Sequence, residues 1–257
     1  MAADPRKRQK KLQRRAGKRQ DKKRAITKSQ NVGLAEKLAK AAQFPVRHCF
    51  VNEALWSQGM GNLLFSRQFP DGRVAFGLFL IDRWCLGVKD VVIGILDEAE
   101  YETKIVRGKP DRFRDVDLTP ATARAFVESA VAYAVDLGFP PQADYLKAKA
   151  LFGNIDAAEA TQTLELGREG KPYFFAGPND GPERCRRIMA ILTHRCGAGN
   201  FNYTMRVTHD EYQDIFGEAA TFEPSDDVDD GDNDETDTAE DPVILLDENE
   251  VRRLPKQ

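Results

Sequence analysis

RVAFGLFLIDRWCLGVKD, residues 73–90, decides how the rest of the chain is read. It opens with the most apolar short run in the sequence, Val74 to Ile81, and passes directly into Asp82, Cys85, Gly87, Lys89 and Asp90. A strand with one wet face would alternate polar and apolar residues. This run does not, so it predicts a strand buried on both faces. Gly77 inside it predicts a bulge or the close approach of another segment. Pro70-Asp71-Gly72 is turn chemistry, and the apolar run 62–69 before it completes a β-hairpin, with Leu63, Phe65 and Phe69 able to share a face. Downstream, Val91, Val92, Ile95 and Leu96 predict a helix over 89–99. The polar cluster thus falls at the C-terminal end of a buried strand, where sites on sheets are often built.

Outward from this unit, 34–42 has helical spacing and stops at Phe44-Pro45. Residues 46–51 form a short strand candidate, 53–58 a helical turn and 103–106 a further strand. Thr119-Pro120 supplies an N-cap and a first-turn proline for a helix whose stripe is Phe126, Val127, Ala130, Tyr133, Ala134 and Leu137; Gly138 closes it. A second helix is expected over 142–152, then a hairpin from 160–166 and 171–175 turning at Arg168-Glu-Gly170. A helix over 183–195 buries Cys185, Ile188, Met189, Leu192 and Cys196, and Gly197 ends it. The alternation of Phe201, Tyr203, Met205 and Val207 marks a half-exposed strand, and Thr208 with Glu211 is a capping box for a last helix. The order hairpin–helix at 62–99 recurs at 161–196, which suggests a diverged duplication. The fold class expected is α+β: antiparallel β-hairpins packed against a helical hairpin and further helices, in one domain over 32–222.

Charge divides the chain in three. Residues 1–31 hold 13 Lys and Arg against 2 Asp and Glu, and 223–257 hold 3 against 14, so arms of +11 and −11 flank a nearly neutral middle. Both arms are too polar to build a core and are expected to be disordered, except that Val243–Leu246 is an apolar island able to add to an exposed sheet edge, to contact a protein partner or equally to pack against its own domain. Arg6, Lys7, Arg8, Lys10, Lys11, Arg14, Arg15, Lys18, Arg19, Lys22, Lys23 and Arg24 suit phosphate neutralisation on nucleic acid, RNA or a ribonucleoprotein above all. The arm carries no aromatic residue, so it offers no base stacking. No secretory or membrane-spanning pattern is present, and four cysteines without paired spacing suit a reducing cytoplasm, or a nucleus in a eukaryote.

Four constellations could carry chemistry. Asp82, Cys85 and Asp90 form the catalytic candidate. Cys85 at the start of a helix and near Lys89 would be a thiolate nucleophile, with His48 or His194 as base. The competing reading is a space-filling cysteine beside Trp84 and Leu86. Asp82 and Asp90, with Glu98 or Glu53, could instead hold a divalent ion for phosphoryl transfer. His48-Cys49 and His194-x-Cys196 lack zinc spacing, and no metal site is expected. Arg184 and Arg187, with Arg195, form a basic helix face for phosphates beside the loop 177–182, which is not a P-loop because the Lys-Ser/Thr pair is missing. No cofactor motif occurs. The expectation is a non-enzymatic nucleic-acid-associated binding protein, with an enzyme at the Asp82–Asp90 loop or a protein-interaction adaptor as alternatives.

Overall fold

The computed structural model describes residues 33–108, 114–177, 180–207 and 244–246. The basic arm, the helix expected after Thr208 and most of the acidic tail lie outside the described residues.

The apolar run is strand β3 (Val74–Asp82), of which only Leu78 and Leu80 are partly exposed. It pairs antiparallel with β2 (Met60–Gln68) through the Pro70–Gly72 turn, and on its other side with β4 (Gly87–Leu96). β1 (Val46–Asn52) and the short β5 (Asp115–Asp117) complete an antiparallel sheet in the order β4-β3-β2-β1-β5. The protein is α+β, as the sequence predicts.

Both faces of this sheet are covered. On one, α1 (residues 33–41), α2 (Ala54–Ser57), α4 (Pro120–Asp136) and α5 (Tyr145–Lys149) pack against Leu63, Phe65, Phe79 and Ile81. Phe152 meets Phe65 and Phe79 there at ring distances of 4.6 and 5.8 Å. On the other, Phe50, Leu64, Val74 and Phe76 gather around Tyr101, which α3 (Glu98–Tyr101) delivers. Two covered faces are why β3 needs apolar residues at nearly every position. The close approach predicted at Gly77 is present: a Cβ there would lie 3.0 Å from the Phe79 ring and 3.3 Å from Leu151 Cδ1. The bulge falls elsewhere, between Leu80 and Ile81, where Lys89 is the extra residue on β4.

The helix expected over 89–99 is strand β4. Val91, Val92, Ile93 and Ile95 are β-branched and fit a pleated surface. The tight turn after Asp82 lays them along the free edge of β3, where they pair as a strand. The strand expected over 103–106 is instead part of a π-type turn, Glu102–Val106, continuing α3. The helix expected over 142–152 is shorter: α5 tightens into a 3₁₀ turn over Ala150–Phe152. Arg67 gathers the carbonyls that end there, donating to Leu151 O at 3.0 Å, Phe152 O at 3.1 Å and Phe44 O at 2.8 Å.

A second layer packs on the sheet end that holds the Asp82–Gly87 turn. α6 (Pro182–Cys196) lies over a small sheet in which β6 (Tyr173–Phe175) runs parallel to β7 (Asn202–Val207) and β8 (Ile244–Leu246) pairs antiparallel with β7. Cys85, Leu86, Ala134, Phe174, Cys185 and Leu192 are buried together in this layer. The hairpin expected from 160–166 and 171–175 does not form. Thr161 N–H bonds Thr122 Oγ1 at 3.1 Å and Gly167 N–H bonds Arg83 O at 3.0 Å, so this segment's donors serve other elements. Only Arg168 and Lys171 bridge, as a tight turn. With a strand replacing one helix and an irregular segment replacing one hairpin, the two halves are not copies of a repeat. The apolar island of the acidic tail supplies β8, a strand on the protein's own domain.

Candidate functional site

The Asp82–Asp90 turn is built by Asp82. Its Oδ1 accepts from the N–H groups of Trp84 and Cys85, both at 3.0 Å, which closes the reversal from β3 to β4. Gly87 completes it at φ +65°, against the backbone of α4. Asp82 is 2% exposed, and its Oδ2 is buried with no hydrogen-bond partner among the described residues. Burial pushes its carboxyl up from 3.8 to about 6, against the lowering pull of the Cys85 N–H and of Lys89.

Cys85 is fully buried. Burial and then the Asp82 charge push its thiol well above the ordinary range, with Lys89 opposing. A thiolate at Cys85 calls for a helix dipole beside Lys89, and a strand stands where that helix is expected. The imidazoles sit elsewhere: His48 Nδ1 meets Tyr101 Oη at 2.8 Å and stacks on its ring, and His194 is exposed on α6. Lys89 pairs with Asp180 at 2.7 Å. Asp90 stands opposite Leu80, exposed, its Oδ1 2.8 Å from the N–H of Val91. One carboxylate is walled off and the other faces solvent. Among the described residues no three His, Cys, Asp or Glu side chains come together as a metal site.

The second candidate is the start of α6. Asp180, its side chain 3% exposed, takes Lys89 and the Gly177 N–H on Oδ2 and Arg184 at 2.7 Å on Oδ1. Burial pushes this carboxyl up, but the Lys89 and Gly177 hydrogen bonds and both cations outweigh that and hold it below 3.8. Arg184 is therefore half engaged, while Arg187 and Arg195 are exposed along the same helix with Glu183 its only carboxylate. The arm residues Arg6 to Arg24 lie outside the described residues. No helix among the described residues is long and apolar enough to cross a membrane.

The structure also assembles a group that the sequence reading missed. Trp84 meets Tyr173 edge-on at 5.4 Å and 81°. The Arg168 guanidinium lies 4.7 Å from the Tyr173 ring centre and 5.3 Å from that of Trp84. Phe175, two residues along β6, is 47% exposed. The legible signal was Tyr173-Phe174-Phe175, where alternation must send the first and third rings to one face if the middle one is buried.

No family model, curated protein or solved structure matches this chain.

Proposed function

We propose that this is a non-enzymatic binding protein that holds nucleic acid, RNA or a ribonucleoprotein by neutralising phosphates with its N-terminal arm. The observation that carries the reading is charge density: 13 Lys and Arg against 2 Asp and Glu within residues 1–31. A chain segment of that composition releases counterions from a polyanion whatever its sequence. Arg184 and Arg187 on α6 add a fixed basic face to the folded body, with Asp180 sharing Arg184. The buried Cys85 and Asp82 favour contact over reaction, because both serve the turn and the core. The acidic tail competes with phosphate for the arm and limits non-specific binding.

The test is a titration of an RNA oligonucleotide against salt, for the full chain and for a chain lacking residues 1–31. The full chain should show a steep fall of log affinity with log salt, about 0.7 per phosphate neutralised on a single strand. Removing the arm should flatten that slope by several contacts. An unchanged slope refutes the reading.

A further inference from the structure

Strand β6 has two unlike faces. Phe174 is fully buried with Cys185, Ile188 and Leu192 of α6. Tyr173 and Phe175 therefore stand on the opposite, outer face. Tyr173 is held there at both ends: its N–H donates to Trp84 O at 3.1 Å, and its hydroxyl shares a 2.6 Å hydrogen bond with Thr204 Oγ1. Trp84 cannot retreat, because its ring lies directly over Gly59, where a Cβ would sit 2.0 Å from it. The Arg168–Lys171 turn, with Gly167 and Gly170 at φ +77° and Glu169 at +54°, folds the Arg168 guanidinium back across both rings. Aromatic rings and a guanidinium plane form one fixed surface, and Phe175 extends it into solvent.

We propose that the outer face of β6 is a stacking platform for unpaired bases, so that the nucleic acid bound by this protein is single-stranded. The proposal rests on the reading of the arm as a phosphate-binding element. The chemistry is that of base recognition on sheets, where exposed rings and arginine planes take splayed bases face to face. Tyr173 and Phe175 are two residues apart on a strand, about 7 Å, which gives successive bases separate stacking partners: the Arg168 plane lying over Tyr173, and the open Phe175 ring. Cations stand at both ends of β6 to meet the backbone: Arg168 and Lys171 before it and the exposed Arg184 after it, against Glu169, while Lys89 is largely buried in its pair with Asp180, which also shares Arg184. The arm supplies charge and no rings; the platform supplies rings, and the two complement one another.

The experiment measures binding of the full chain to a labelled oligouridylate and to an RNA duplex of equal length, for the wild type and for Phe175→Ala. Phe175 is half exposed, so its loss leaves the core intact, and a matching thermal melt checks this. The expected result is roughly tenfold weaker binding of the single strand, with the salt slope unchanged and duplex binding unaltered. In a Trp56→Phe background Trp84 is the sole tryptophan, and oligouridylate should quench it. Wild-type affinity in Phe175→Ala, while arm deletion still flattens the salt slope, overturns the platform and leaves the arm reading standing. Equal loss on the duplex overturns it too, since the face would then be reading backbone. If the wild type binds neither polymer, the arm reading fails and the platform falls with it.

Discussion

Asp82→Asn isolates the cost of holding a carboxylate inside the β3–β4 turn. The residue is 2% exposed, and its Oδ1 caps the turn through Trp84 and Cys85 while Oδ2 has no partner among the described residues. Burial raises its pKa from 3.8 to about 6. The sign follows from linkage. Between those values the native state binds the proton and the unfolded chain does not, so stability falls as pH rises. The full penalty is absent below about 3.8 and complete above about 6, where it amounts to about 3 kcal/mol. About 1 kcal/mol of it has accrued by pH 4.5, leaving about 2 kcal/mol to appear between pH 4.5 and 7.5. Asparagine keeps the Oδ1 acceptor, cannot ionise, and carries a buried amide whose cost does not vary with pH. Urea unfolding of both chains across that range gives a difference in which all other titrations cancel. It should move by about 2 kcal/mol in favour of the variant as pH rises, a shift of about 1 M in relative midpoint. A difference flat with pH, or moving the other way, would show that Oδ2 is solvated and that the turn does not bury a charge.

Three further substitutions test the same architecture. Gly87→Ala would place a Cβ 2.5 Å from Ala130 O and 2.6 Å from Ala134 Cβ at φ +65°. It should cost about 2–5 kcal/mol from left-handed backbone and overpacking together. Gly72→Ala, at φ +85° with nothing within 4 Å, should cost only about 1–2 kcal/mol; equal losses in calorimetry would count against α4 sealing the turn. Arg67→Lys replaces a fork that serves the Leu151, Phe152 and Phe44 carbonyls with a single ammonium. It should cost about 2–4 kcal/mol in chemical unfolding, because the carbonyls it cannot reach stay buried and unpaired. A loss within ±0.5 kcal/mol would mean that water replaces the fork.

What could be read from the chain alone was what local chemistry and burial period encode. The both-faces-buried run at 74–81, the Pro-Asp-Gly hairpin, the Thr119-capped helix and the α+β class all follow from short-range pattern, because the turn residues and side-chain spacing there point to one answer. Residues 91–96 show where pattern runs out. Their apolar spacing fits a helix or a strand, and the choice was made by the free edge of β3, a long-range partner. The segment 160–166 went the other way: it has strand-like alternation, but Thr122 and Arg83 claim its hydrogen bonds. The candidate site divides similarly. Asp82 was visible as a polar residue ending a buried strand. That its second oxygen is sealed from solvent, and that Cys85 lies in the core, depended on α4 and α6 closing over the turn. The aromatic face of β6 is still more tertiary, since Trp84, Arg168 and Phe175 come from segments up to 91 positions apart in sequence. Sequence fixes which side chains can stack or titrate; only packing decides which of them are taken out of water, and with that which carry charge.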